Sequence, residues 1–139
     1  MPRISTKDWR NLPLDRWNPT TVHSMLADLN EARSGVTYEP FGGGSVQQRW
    51  ATEKGQVKQA LTKYGAPTIK RYIEICFANN PKPNPQYPVL SWGFMWAYLR
   101  VELSKAQAEI LAAGEREEAL KLAEERAAAQ AEQPDPDWW

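Results

Sequence analysis

The sequence is poor in the residues that most often form cross-links or bind metals. It contains one cysteine, Cys76, and one histidine, His23. A single cysteine excludes an internal disulfide, and one cysteine with one histidine provides no ligand spacing for a zinc site. We therefore expect no metal and no cofactor, and we expect the chain to fold in a reducing compartment.

Long apolar runs are also missing. The longest nearly uncharged apolar stretch, residues 87–99, contains a proline and a glycine. It is shorter than the roughly 20 residues that a membrane-spanning helix needs. The N-terminus shows no positively charged start that leads into an apolar signal-peptide core. We expect a cytoplasmic protein with no membrane partner.

Catalytic patterns are scarce as well. Cys76 lies in an apolar stripe without a nearby activating base, so we interpret it as a core residue, and we interpret His23 as a surface or boundary residue. The triple glycine at 42–44 is followed by Ser45 but lacks the Gly-Lys-Ser/Thr of a phosphate loop, so it predicts a turn. The sequence predicts a binding protein rather than an enzyme.

What the chain does contain is enough apolar residues for one core and an uneven distribution of charge. Apolar residues make up 42% of 139 positions, which suits one modest domain. Residues 1–104 hold 13 Lys/Arg and 8 Asp/Glu, a balance of +5. Residues 105–139 hold 4 and 9, a balance of −5. Such a division is typical either of a basic binding body with an acidic interaction tail or of ordinary surface charge.

The apolar residues recur at helical spacing, and prolines and glycines mark the ends of the segments. Helices are predicted over residues 19–33, 48–64 and 67–79. A fourth helix is predicted to begin at the capping residue Ser91 and to continue without a break into the Ala/Glu-rich stretch at 114–133.

The predicted fold class is all-α, a compact bundle of about four helices. The body, residues 1–104, includes an N-terminal arm packed on it, and residues 105–133 form a projecting helical extension. Residues 134–139 are expected to be disordered because two prolines interrupt an acidic segment.

A basic stretch is the first candidate site. Six positive charges fall within 23 residues that contain a single acid, Glu53. They are predicted to contact nucleic-acid phosphates, although a solubilising face explains them equally well. The six residues are Arg49, Lys54, Lys58, Lys63, Lys70 and Arg71.

The end of the chain is the second candidate site. Asp135 and Asp137 stand beside Trp138 and Trp139 in a segment too rich in proline to fold. Aromatic side chains commonly anchor interfaces, so these four residues are predicted to bind a protein partner. A tail without function, or one folded back on the basic body, is the alternative.

Three segments in the middle of the chain form a recognisable pattern. They are the run from Trp50 to Gly65 with its Leu-x-x-Tyr-Gly end, Ile69–Phe77, and the segment from Tyr87 to Phe94 with its Pro-x-Leu pattern. In these segments the chain resembles a small helical module of bacteriophage replication-associated and helicase-loader-like proteins. The resemblance covers about residues 20–100. It implies a phage origin, and hence the cytoplasm of a host cell.

The leading functional hypothesis is a non-enzymatic phage accessory protein of DNA metabolism that binds nucleic acid or a replication protein. The rival is a protein-interaction factor that inhibits or modulates a host enzyme without binding nucleic acid. A third hypothesis is an assembly component, for which the Ala/Glu-rich helix would supply oligomer contacts.

Overall fold

The computed structural model describes residues 3–83, 85 and 88–132, and every regular element in these residues is helical. The predicted all-α class is therefore confirmed. A 3-10 turn at Leu14–Arg16 precedes five α-helices: α1 Pro19–Ser34, α2 Val46–Tyr64, α3 Ala66–Asn79, α4 Trp92–Tyr98 and α5 Arg100–Glu132.

Helix α1 begins at the predicted residue and ends one residue later than predicted, directly before the predicted stop at Gly35. The Asn18 side chain accepts the backbone N–H of Thr21, and the Thr21 hydroxyl accepts the backbone N–H of Asn18, which forms a capping box. Gly35 adopts a left-handed φ of 69° and donates its N–H to the carbonyl of Glu31. These local contacts fix where α1 begins and ends.

Helix α2 begins two residues earlier than predicted. Ser45 and Gln48 form a second capping box, in which each side chain accepts the other residue's backbone N–H. A single residue, Gly65, separates α2 from α3, and its φ of 86° suits glycine. This short connection keeps α2 and α3 in contact.

The prediction of one uninterrupted fourth helix is wrong. Leu99, with φ −116° and ψ 27°, interrupts the helix and separates α4 from α5. The next turn is tightened, because Glu102 donates its N–H to the Leu99 carbonyl only three residues back. No glycine or proline marks the break in the sequence, so pattern alone could not locate it.

The hydrophobic core draws on the N-terminal arm and on all five helices. Cys76 is fully buried, as predicted, and Trp92 is fully buried beside Tyr72. Leu12 and Trp17 of the arm are buried too, which confirms that the arm packs on the body. The indole N–H of Trp9 donates to Asp28 of α1 at 2.8 Å and ties the arm down further.

The connection between α3 and α4 is fastened to α1 by side chains. The Arg33 guanidinium donates to the carbonyls of Asn80, Lys82 and Pro88 at 2.7, 2.8 and 3.0 Å. The buried Asn30 amide binds both the N–H and the carbonyl of Leu90. These bonds set the position from which α4 begins.

The chain divides into two units, one ending at Gln107 and the other beginning at Ala108. The first unit contains the core and every site described below. In the described part of the second unit the side chains are exposed, except for the half-buried Ile110. The predicted boundaries at residues 104 and 133 stay predictions, and the predicted disordered segment 134–139 lies outside the described residues.

Candidate functional site

A buried carboxylate lies at the centre of the first unit. Glu53 is only 1% exposed, and its carboxylate has four hydrogen-bond partners. Oε1 accepts the Tyr38 hydroxyl and contacts His23 Nε2 at 3.2 Å. Oε2 accepts the backbone N–H groups of Phe41 at 2.7 Å and Gly93 at 3.2 Å. Glu53 therefore joins α1, α2, α4 and the loop between α1 and α2.

Tyr38 extends this network to the start of α4. Its hydroxyl donates to Glu53 and accepts the backbone N–H of Trp92 at 2.9 Å. Burial raises the pKa of Tyr38 well above its usual value, and the neighbouring Glu53 charge raises it further. The phenol therefore keeps its proton and remains a donor to the carboxylate.

The prediction that His23 is a surface or boundary residue is wrong. His23 is only 6% exposed, because the arm and α2 cover this face of α1. Its ring packs edge-on against Trp50 at a centroid distance of 5.0 Å and lies 5.7 Å from the Tyr38 ring. Since a carboxylate only accepts hydrogen bonds, Nε2 carries the proton that faces Glu53.

A surface cavity of about 480 Å³ lies beside this network. It is bounded by the arm, α1 and α2. The arm is held at its edge because the Ser24 hydroxyl donates to the Lys7 carbonyl at 2.6 Å. Six residues line the cavity: Lys7, Thr20, His23, Ser24, Trp50 and Lys54.

One polar atom of a residue that lines the cavity lacks a partner. Nδ1 of His23 is buried and has no hydrogen bond within the described part of the chain. The two imidazole nitrogens point in nearly opposite directions, so a ring whose Nε2 meets Glu53 in the interior directs Nδ1 away from it. An unsatisfied buried polar group costs about 1–3 kcal/mol, which a ligand with a matching group would offset.

The six residues predicted to bind nucleic acid do not form one surface. Lys54 and Lys58 are exposed and one turn apart on α2, as predicted. Lys63 is also exposed, but helical geometry places it about 140° around the axis from Lys58. Its ammonium group lies over the Tyr64 ring, 5.3 Å from the centroid.

The other three predicted residues lie apart from Lys54 and Lys58. Arg49 is partly buried and donates to the Pro40 carbonyl at 3.4 Å. Lys70 lies 6.0 Å from the centroid of the Trp17 ring. Arg71 approaches Glu74 at 3.8 Å. Whether these residues contact a nucleic acid stays a prediction, but the geometry gives each of them an intramolecular neighbour.

The structure adds one cation that the sequence did not single out. Lys7 of the arm lines the same cavity as Lys54, although 47 positions separate them. Trp50 and His23, which were not predicted as site residues, lie between α1 and α2 in the same wall. The hydrophobic periodicity of the sequence could not have indicated that Lys7 lies beside α1 and α2, because the arm has no sustained period.

The remaining predictions concern the tail, metals and membranes. Asp135, Asp137, Trp138 and Trp139, predicted to bind a protein partner, lie outside the described residues. Among the residues that are described, no three His, Cys, Asp or Glu side chains are grouped so that they could hold a metal ion. None of the described helices is long and apolar enough to cross a membrane.

Comparisons with known proteins give no family assignment. No protein-family model matches the chain, and neither a curated protein nor a solved structure matches it. Functional inference for this chain therefore rests on the geometry of its own residues.

Proposed function

We propose that this protein is a non-enzymatic accessory factor of phage DNA metabolism that binds nucleic acid through a basic surface made by Lys7, Lys54 and Lys58. The observation that carries the proposal is that Lys7 and Lys54, remote in sequence, line one cavity together with Trp50. Lys58 continues the same face one turn further along α2. We refer to these three residues as the lysine surface.

The charges of the lysine surface are available to a partner. All three side chains are exposed, and no carboxylate of the described residues forms an ion pair with any of them. By contrast, Arg10 is paired with Asp28 at 3.2 Å. Unpaired ammonium groups on one face are suited to phosphate oxygens, because they lose no internal partner on binding.

Two arguments from the sequence accompany the proposal. The resemblance predicted for residues 20–100, to a helical module of phage replication-associated proteins, would imply a role in DNA metabolism. The acidic end of the chain, with its balance of −5 over residues 105–139, is unsuited to phosphate and favours a separate protein partner. We therefore assign nucleic acid to the body and a protein partner to the tail.

The test is a binding titration with short single- and double-stranded DNA, read by fluorescence anisotropy at several salt concentrations. Three lysine contacts to a single strand predict that log affinity falls against log salt with a slope of about −2. The double variant Lys54→Glu/Lys58→Glu should bind at least about tenfold more weakly, a loss of about 1.4 kcal/mol.

A matched control reverses two exposed lysines elsewhere. Lys82→Glu/Lys121→Glu changes the net charge by the same amount, and neither residue lines the cavity. This control should bind DNA with nearly wild-type affinity. Undiminished binding by the folded Lys54→Glu/Lys58→Glu variant, or no binding by the wild type at low salt, would overturn the proposal.

An exposed aromatic group favours a second candidate function, a protein-interaction factor that modulates a host enzyme. Phe41 and Tyr98 are 38% and 67% exposed, and their rings pack edge-to-face with centroids 6.3 Å apart. Exposed aromatic side chains of this kind commonly anchor protein interfaces. Absence of DNA binding, combined with capture of a host protein that is lost in Tyr98→Ala, would favour this function.

A further inference from the structure

We infer that the cavity between the arm, α1 and α2 is a nucleotide pocket that holds one unstacked base against Trp50 and its phosphate between Lys7 and Lys54. This inference rests on the proposed function and specifies the form in which nucleic acid binds. The shared chemistry is a nucleoside monophosphate, either free or as one unit of a single strand.

The size of the cavity is appropriate. Its volume of about 480 Å³ falls within the range of roughly 300–1,000 Å³ that is typical of small-ligand pockets. A base inside a duplex is paired and stacked on its neighbours, so its face is not free to lie on Trp50. A base of a single strand is free to do so, because it can be turned out of the stack.

The aromatic wall suits a base. Trp50 is half-buried, and its ring is held from the protein side by the His23 ring at 5.0 Å and the Tyr38 ring at 5.6 Å. A ring fixed in this way offers its remaining surface at little entropic cost. Stacking of a base on an aromatic side chain contributes about 1–3 kcal/mol and tolerates any sequence.

The polar groups suit the edge of a base. Nδ1 of His23 is buried and has no hydrogen-bond partner among the described residues. The edges of nucleobases carry both donors and acceptors, so a base can pair with Nδ1 whether or not that nitrogen carries a proton. The hydroxyl of Ser24 donates to the Lys7 carbonyl and can still accept, and Thr20 supplies a second hydroxyl.

The cations suit a phosphate. Lys7 and Lys54 are exposed and approach the cavity from different elements, the arm and α2. In a nucleotide whose base stacks on Trp50, the phosphate carried by the sugar would be attracted by both ammonium groups. An apolar void left by imperfect packing would instead be lined by aliphatic residues.

Glu53 acts as a positioning residue for this pocket. It holds Nε2 of His23 and thereby fixes which ring nitrogen is left for the ligand. Tyr38 and two backbone N–H groups in turn hold the carboxylate in place. The ring is therefore oriented before a ligand arrives.

The test uses the fact that His23 is the only histidine in the chain. Its ring nitrogens can be followed by heteronuclear NMR in the full-length protein with isotopically labelled histidine. Deoxyadenosine monophosphate and a short single-stranded oligonucleotide should each shift the Nδ1 resonance more than the Nε2 resonance. Inorganic phosphate at the same concentration should leave Nδ1 unchanged.

Three variants add a readout that does not depend on the resonance. Lys7→Ala and Lys54→Ala should each weaken binding of the mononucleotide at least about fivefold, or roughly 1 kcal/mol. Lys63→Ala, on another side of α2, is the matched control and should not change the affinity. All three substitutions remove exposed side chains and should leave the circular dichroism spectrum intact.

The outcomes separate the two proposals. If the oligonucleotide binds but neither probe shifts Nδ1, the pocket is excluded while the nucleic-acid function stands. If the mononucleotide shifts Nδ1 and no strand binds, the nucleic-acid function fails and the pocket stands. If inorganic phosphate shifts Nδ1 as much as the mononucleotide, the site recognises phosphate alone and the nucleotide assignment is overturned.

Discussion

The Glu53 carboxylate accepts the backbone N–H of Gly93 at 3.2 Å, although the two residues are 40 positions apart. A Cβ atom on Gly93 would lie only 2.8 Å from Phe41 Cβ and 3.2 Å from Glu53 Oε2. Residue 93 therefore has to be a glycine for sterics rather than for backbone freedom. At this point α2, α4 and the loop that carries Phe41 are in contact.

Gly93→Ala should lower the free energy of unfolding by about 1–3 kcal/mol, because overpacking at a fixed contact forces its neighbours apart. Denaturant titration followed by circular dichroism measures the loss. Gly55→Ala is the control, since a Cβ there meets nothing within 4 Å inside α2. That change should stabilise the protein by about 0.5–1 kcal/mol. Equal stability of the two variants would contradict the packing described here.

Glu53→Gln should destabilise the protein by about 1–3 kcal/mol, since one carboxylate oxygen is replaced by a donor that faces other donors. Glu74→Gln provides the comparison. The Glu74 side chain is 44% exposed and approaches only Arg71, at 3.8 Å, among its described ion partners. Its substitution should change stability by less than about 0.5 kcal/mol. Thermal denaturation of both variants measures these changes in stability. An unchanged melting temperature for Glu53→Gln would show that the network contributes nothing to stability.

Stability should fall in alkali, and part of the fall belongs to Tyr38. The unfolded phenol loses its proton near pH 10, whereas the folded phenol keeps it because its pKa is raised. The unfolded state therefore binds fewer protons above about pH 10, and the free energy of unfolding decreases as the pH rises. Below that pH the contribution is fully present.

Tyr38→Phe isolates this contribution. Burial also raises the pKa of Tyr72 and Cys76. The pH dependence of wild-type stability therefore combines the contributions of several groups. The variant should be less stable than the wild type at neutral pH, since it loses the bonds to Glu53 and Trp92. The difference in free energy of unfolding between the wild type and Tyr38→Phe should become smaller above about pH 10. A constant difference across the alkaline range would refute the assignment.

Cys76 should resist thiol reagents in the native protein. It is fully buried, and burial together with the nearby Glu102 charge raises its pKa to about 12. At pH 8 only about one thiol in ten thousand would be ionised. Labelling should therefore require unfolding and become faster as denaturant is added. The reaction can be followed by the absorbance of the thiolate that the reagent releases. Rapid stoichiometric labelling without denaturant would place Cys76 outside the core.

The helices that could be predicted from sequence are those whose ends are fixed locally. Asn18, Pro19 and Gly35 mark α1 at both ends, and the structure uses all three. The start of α2 was misplaced by two residues, although Ser45 and Gln48 form a recognisable capping pair. Local chemistry marks both ends of α1, and the Ser45–Gln48 pair contains the local signal that would have placed the start of α2.

The break at Leu99 could not be predicted, because the residues on either side of it continue the helical pattern. Met95 before the break and Leu103 after it are both buried. Their burial depends on what packs against each segment rather than on the propensity of Leu99 itself. Tertiary packing therefore decides where α4 ends.

The site was missed for a related reason. His23 and Glu53 are 30 positions apart, and neither residue type indicates burial without knowledge of its partner. One indication was available, since Glu53 stands one turn before Val57 on the apolar face of α2. A carboxylate at such a position requires buried donors, and this requirement could have directed attention to Tyr38.

Arg33 connects the two ends of the segment that follows α3. Its guanidinium binds carbonyls on both sides of residues 83–87, at Lys82 and at Pro88, while its stem belongs to α1. One planar ion that belongs to α1 thus restrains the spacing between Lys82 and Pro88. Loss of Arg33 would leave three carbonyls without this donor at once, so a single side chain couples the end of α3 to the approach to α4.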